Sequence, residues 1–172
     1  MIPLKNEILG LRGVEPDDIR VLFEIENDLE LWKYSNRSQP YSKDILQNYI
    51  ANAHKDIFET RQVKFTLVNL KDQPIGFIDL FDFEPLHHRA GVGLAIQKQF
   101  QGKGYAGGAL ALLEFYTKKY LQLYQLYAHI AVENNISIRL FERQGYDFVG
   151  TKKDWNFYDG KYQDESIYQK II

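Results

Sequence analysis

Gln101-Gly102-Lys103-Gly104-Tyr105-Ala106-Gly107-Gly108 decides how the rest of this chain is read. The stretch follows an apolar run, Gly91 to Ile96, and opens an amphipathic one, Ala109 to Lys119. A strand that stops, a loop with four glycines in seven residues and a helix that begins there predict a nest of outward-pointing backbone N–H groups. Such a nest binds anions. Glycine is required where backbone takes positive φ or approaches a phosphate closely, because a Cβ would clash. The loop lacks the Gly-Lys-Ser/Thr ending of a P-loop, and an antiparallel meander rather than an opening strand-helix unit precedes it, so those two readings fall away.

Upstream, Ile8 to Val14 reads as a strand, and Glu15-Pro16-Asp17-Asp18 starts a helix to about Glu26, with Ile19, Leu22, Phe23 and Ile25 at helical spacing. Asn27 to Tyr41 is less regular. Ser42 is an N-cap for a helix through Ile45, Leu46, Tyr49, Ile50 and Ala53 toward Phe58. From Lys64 the period changes to that of strands, with a turn at Lys71-Asp72-Gln73-Pro74, a second strand Ile75 to Phe83 and a third, Arg89 to Ile96. Downstream, the helix Ala106 to Tyr120 leads to the apolar strand Leu126 to Val132, and a strand-helix-strand order predicts a parallel pair. Glu133-Asn134-Asn135 caps a helix from Ile136 to Arg143, with Gly145 at its C′ position. A long hairpin, Tyr146 to Trp155 and Lys161 to Ile172, turns at Asp159-Gly160. These elements predict one α/β (α+β) domain over residues 1–172, with a mixed, mostly antiparallel twisted sheet of six to seven strands flanked by helices.

Composition narrows the function. Lys and Arg number 21 against 23 Asp and Glu, a net charge of −2 that gives no electrostatic case for nucleic acid. Cysteine is absent, which excludes disulfides, thiolate metal sites and a cysteine nucleophile. The start has no apolar core of signal-peptide length, and nowhere do ~18 apolar residues run together. A cytoplasmic protein with no membrane partner is expected. His87 and His88 adjoin in a turn without further ligands, so no metal is expected; His54 and His129 stand alone and read as surface and core residues.

The form Gln-x-x-Gly-x-Ala at Gln101 to Ala106, after Val92-Gly93-Leu94-Ala95-Ile96, resembles the pyrophosphate-binding motif of the GNAT acyltransferase superfamily. Glu133-Asn134 through Phe141-Glu142-Arg143-Gln144-Gly145-Tyr146, and the element order from Ile8 to Ile172, are similar to that family as well. Within it, Ile78 to Asp82, His87-His88-Arg89-Ala90 and Asp159-Gly160-Lys161-Tyr162 resemble spermidine N-acetyltransferases and ribosomal-protein N-terminal acetyltransferases.

The resemblance implies direct transfer of acetyl from acetyl-coenzyme A, as co-substrate, to a primary amine, without an acyl-enzyme. It implies that backbone of Gln101, Gly102, Lys103, Gly104, Tyr105 and Ala106 holds the pyrophosphate. Backbone of Leu94, Ala95 and Ile96 would pair with pantetheine, and Asn134, Phe141 and Arg143 would lie along the same arm. It further implies an acceptor that is a polyamine, another small amine or a peptide N-terminus, and dimers or larger assemblies.

An alkylammonium with pKa near ~10 must lose a proton before it attacks, so carboxylates or ordered water are needed near the acetyl group. Asp79 and Asp82 are the candidates; three apart on a strand, they face opposite sides unless a bulge intervenes. The chain also departs from the family. Phe141 stands where many members carry a tyrosine acid, Gly91 where many carry a glutamate, and Gly107-Gly108 where a Thr-Glu or similar pair is common. Tyr146 is the choice for a substitute acid, ahead of Tyr105 and Tyr158. Ser38-Gln39 replaces the consecutive glutamates that spermidine acetyltransferases tend to carry, which weakens the polyamine assignment; Glu24, Glu26, Asp28 and Glu30 keep the region acidic. The alternatives are a protein N-terminal or aminosugar acetyltransferase, or an acyl-coenzyme A binding module with weak catalysis.

Overall fold

In the computed structural model, which describes residues 4–35 and 37–172, the Asn6 side-chain oxygen accepts from the N–H groups of Ile8 and Leu9, both at 3.0 Å. This turn folds β1 (Leu4–Lys5) back onto β2 (Leu9–Gly13). The sheet continues through β3 (Val63–Asn69), β4 (Pro74–Glu84), β5 (Arg89–Ile96), β6 (Gln125–Ala131), β7 (Asp147–Tyr158) and β8 (Lys161–Ile171). Its order is β1-β2-β3-β4-β5-β6-β8-β7, one sheet of eight strands. The sequence predicts six to seven; the added strand is β1, which only the Asn6 turn brings into register.

The helices are α1 (Ile19–Glu26), α2 (Leu29–Trp32), α3 (Lys43–Ala51), α4 (Ile57–Thr60), α5 (Tyr105–Tyr120) and α6 (Asn135–Arg143). Ser42 caps α3 by accepting from Ile45 N–H, as its sequence predicts. The helix does not run on toward Phe58. Asn52 ends it, and Asp56, accepting from Phe58 N–H, starts α4 separately.

Strand alternation divides the side chains between two faces. Ile78, Leu80, Val92, Leu126, Ala128 and Ile130 pack beneath α5 and α6 with Leu110, Leu113 and Phe141. On the other face Phe77 meets Val21, Leu22, Ile25, Leu46 and Ile50 of α1 and α3. Those two helices pack on Phe77 of β4, and among the described residues this second cluster does not extend to the side chains of β6 and β8. Phe81, on the same face, spreads over Gly91 of the neighbouring strand; a Cβ at Gly91 would sit 2.3 Å from the ring.

One buried charge ties α1 to the sheet. Asp18 is 1% exposed. It accepts from both terminal nitrogens of Arg12 at 2.7 and 2.8 Å, from Glu15 N–H at 2.9 Å and from the Thr66 hydroxyl at 2.7 Å. Burial pushes its pKa up, but these donors, Arg12 foremost, outweigh burial and hold it below the usual carboxylate value.

Because the folded pKa is depressed, this stabilisation is fully present above the unfolded pKa of ~3.9 and is lost as pH falls through the folded value. Asp18→Asn should destabilise by about 3–5 kcal/mol in urea unfolding at neutral pH, with the gap to wild type closing below about pH 4. Gly91→Ala should cost about 1–3 kcal/mol through overpacking, and pairing it with Phe81→Leu should recover most of that loss.

Candidate active site

The α5 N-terminus is open. Gly104 holds the N-cap position at φ 82°, no side chain caps the helix, and its first turn has no acidic residue. The Gly108 N–H bonds the Gly104 carbonyl at 3.2 Å, while the N–H groups of Gly102 through Gly107 meet no acceptor among the described residues. Gly102 also takes positive φ, 73°. The Gln101 side chain donates to the Ile96 carbonyl at 2.9 Å and thereby closes the loop on the end of β5. Six consecutive free donors at the positive end of a 16-residue helix suit a phosphate ligand. Gly107 and Gly108 have a packing reason: a Cβ at Gly107 would lie 2.8 Å from the Gln144 amide and one at Gly108 2.7 Å from Leu9.

Beside the loop the sheet splits. β5 and β6 are parallel and pair only at Arg89↔Gln125, Ala90↔Leu126 and Gly91↔Tyr127. β5 keeps pairing with β4 as far as Ile96, and β6 with β8 as far as Ala131. Past Gly91 and Tyr127 the strands part, leaving backbone of Val92–Ile96 and Ala128–Ala131 facing a wedge. The glycine loop follows one side of the wedge and Asn134 the other. Asn134 caps α6 by accepting from Ser137 N–H at 3.2 Å, which leaves its amide NH₂ free to donate.

A bulge does intervene on β4. The β4–β5 register shifts between Phe81 and Glu84, and Asp82 takes φ 47°. Asp82 is thereby turned to where its charge acts on Tyr127 and His129, the face that Asp79 also occupies above Gly93. Asp79 is not free: Lys64 Nζ donates to it at 3.2 Å. Lys64 also approaches Glu26 at 3.9 Å, and Glu26 pairs with Arg37. Burial would lower the Lys64 pKa, yet Asp79, Tyr49 and Glu26 raise it, so the ammonium persists. Asp82 is exposed and has no cation partner among the described residues.

The remaining predicted residues separate. Phe141 is buried, its ring edge-on to Tyr146 at 4.9 Å. Arg143 is exposed at the end of α6. Lys103 lies 5.4 Å over the Phe100 ring, and Tyr105 packs on the same ring. Tyr146, the choice for a substitute acid, lies in the core beside Phe141. It is 2% exposed, and its hydroxyl lies against Glu114, itself paired with Lys170 at 2.7 Å. Burial, then the Glu114 charge, push the phenol pKa well above its usual value, which makes Tyr146 a weak proton donor.

The acidic run is largely structural. Glu26 is buried, Asp28 caps α2, Glu24 accepts from Gln97 at 2.6 Å and Glu30 pairs with Lys98 at 3.0 Å. The sequence reading missed His129, expected in the core. It lies on the face of Phe81 with Glu165 and Lys152, because β6 alternates Leu126, Ala128 and Ile130 inward with Tyr127 and His129 outward. That alternation is the signal that could have found it. Among the described residues no group of three or more His, Asp or Glu is placed to hold a metal, and no helix is long and apolar enough to cross a membrane.

Residues 9–147 match the family model described as Acetyltransferase (GNAT) domain. The spermidine N(1)-acetyltransferase of Vibrio cholerae is 28% identical over 159 residues, 92% of this chain and 90% of that protein. The ribosomal-protein-serine acetyltransferase of Escherichia coli is 23% identical over 97% of this chain and 94% of its own length. The crystal structure of spermidine N-acetyltransferase from Vibrio cholerae in complex with CoA and spermine superposes with a TM-score of 0.88 at 26% identity, covering 96% of each chain. The chain belongs to the GNAT acetyltransferase family and is an acetyl-coenzyme A dependent N-acetyltransferase.

Proposed function

We propose that the acceptor is a small cationic amine of the polyamine type, which enters from the face of the sheet that carries Phe81 and meets the donor at the wedge. The observation that carries this reading is Asp82, a carboxylate turned onto that face by a bulge and left without a cation among the described residues. Glu165 and Asp79 add charge nearby, and the exposed Trp155 offers an apolar wall for a methylene chain. In this reading the pyrophosphate lies on the free N–H groups of Gly102 to Gly107 and the pantetheine arm runs along Leu94–Ile96, within reach of Asn134. Arg143, Lys103 and the flank of Phe141 complete the donor side. The amine nitrogen attacks the thioester carbonyl, and the thiolate, with a modest pKa near ~8.5, leaves without a tyrosine acid.

A peptide N-terminus is the second acceptor class, favoured by Ser38 and Gln39, both exposed, where an acidic pair would have drawn in a polyamine. The donor is an intracellular metabolite, so the reading carries a cytoplasmic location. Self-association is also part of it: β7 is an edge strand that exposes Phe148 and Val149.

Two measurements test the proposal. In a thiol-release assay over spermidine, spermine, aminosugars and short peptides, the polyamines should have the highest kcat/KM; preference for a peptide would move the assignment to the second class. By calorimetry, Gly104→Ala, which meets no neighbouring atom but must adopt φ 82°, should weaken acetyl-coenzyme A binding about tenfold, the 1–2 kcal/mol cost of a left-handed alanine. Unchanged affinity would remove the loop from the donor site.

A further inference from the structure

The same face of the sheet holds a second polar cluster, around His129, of which the acceptor contacts above use only the charge of Glu165. We propose that His129, oriented by Glu165, is the base that takes the proton from the acceptor ammonium, directly or through one water. The inference rests on the acetyl-transfer reading but not on which amine is the acceptor.

The placement comes from strand register. β5 and β6 last pair at Gly91↔Tyr127, so His129 stands two residues into the wedge. Its side chain shares the face of Tyr127, 5.3 Å away between ring centres, and Phe81, 6.3 Å away. Glu165 Oε1 is 3.7 Å from its Nδ1. That carboxylate is itself held by Lys152 at 2.6 Å and by the Asn156 amide at 2.8 Å. At 3.7 Å this is a charge contact rather than a hydrogen bond; a negative charge on the Nδ1 side favours the proton there and leaves the Nε2 lone pair directed away from Glu165.

The groups facing His129 are Phe81 and Asp82 from β4, Tyr127 on its own strand, Glu165 from β8 and Lys152 from β7. Burial, then the Lys152 charge, hold its pKa below the ordinary histidine value, against the pull of Glu165 and Asp82. The ring is therefore neutral at pH 7 and able to accept. Asp79, already paired with Lys64, is the weaker candidate for this step. Asp82, without a cation partner among the described residues, is suited to hold the ammonium while the histidine deprotonates it.

The protons balance. His129 Nε2 takes one proton from R–NH₃⁺ and passes it to solvent. The freed lone pair forms the C–N bond and the C–S bond breaks. A second N–H proton ends on the coenzyme A sulfur, and the third stays on the amide.

The test is the pH profile of kcat/KM, taken with whichever primary amine turns over best, so failure of the polyamine assignment leaves it intact. Wild type should show an acidic limb that coincides with the His129 titration followed by NMR. His129→Gln should lower kcat/KM about 100-fold and abolish that limb, with acetyl-coenzyme A affinity and melting temperature kept. Glu165→Gln removes a charge that raises the His129 pKa, so its limb should move to lower pH. Lys152→Met removes one that lowers it, so its limb should move to higher pH. A merely structural histidine gives no such opposed pair of shifts. Activity within threefold of wild type in His129→Gln, or a limb unmoved in both neighbours' variants, would overturn the proposal, as would the absence of turnover with every amine.

Discussion

The separation of two parallel strands after three paired residues governs the rest of this molecule. A strand edge cannot be left buried with its N–H and C=O groups unpaired, since each orphan costs about 1–3 kcal/mol. An open wedge between Val92–Ile96 and Ala128–Ala131 is therefore stable only if water or an extended ligand occupies it. Elsewhere the sheet is continuous, and α5 and α6, which follow the diverging strands, are carried to the two sides of the same opening. The uncapped end of α5 and the capping Asn134 of α6 thus come together because the strands that precede them part.

The two faces of the sheet then take different tasks. One is sealed by the core under α5 and α6, where Tyr146 is buried beside the half-buried pair Glu114 and Lys170. On the other, α1 and α3 pack over β4, and the face also carries Asp79 with Lys64, Asp82 with no cation partner among the described residues, and His129 with Glu165 and Lys152. Among the described residues, nearly every charge there has an opposite neighbour. The left-handed Asp82 on its bulge is the exception, and strain of that kind, of order 1–3 kcal/mol, persists only where surrounding structure imposes it.

How much of this the sequence carried depended on whether the cause was local. The glycine loop, the caps at Ser42 and Asn134 and the C′ glycine at 145 are set by residues within a turn of one another, and all were legible. The parallel pair followed from element order. What was not legible depends on distant partners. Phe81-Asp82-Phe83-Glu84 contains no glycine to announce a positive φ; the bulge is fixed by Phe83 N–H bonding the Arg61 carbonyl at 3.0 Å and by Glu84 pairing with Arg89 at 3.0 Å. Tyr146 reads as a free tyrosine until Glu114, 32 positions earlier by subtraction, is brought against it. His129 reads as core because its strand is short and apolar, yet strand alternation turns it to the face opposite Leu126, Ala128 and Ile130, where it is exposed.

The claim that the wedge is the donor site is tested most directly by backbone amide hydrogen exchange with and without acetyl-coenzyme A. In the free protein the amides of Val92–Ile96 that point away from β4 should exchange fast for residues so deep in a sheet, and those on the inner edge should become protected when the donor binds. The N–H groups from Gly102 to Gly107 should gain protection at the same time. Protection elsewhere, with both runs unchanged, would contradict the account.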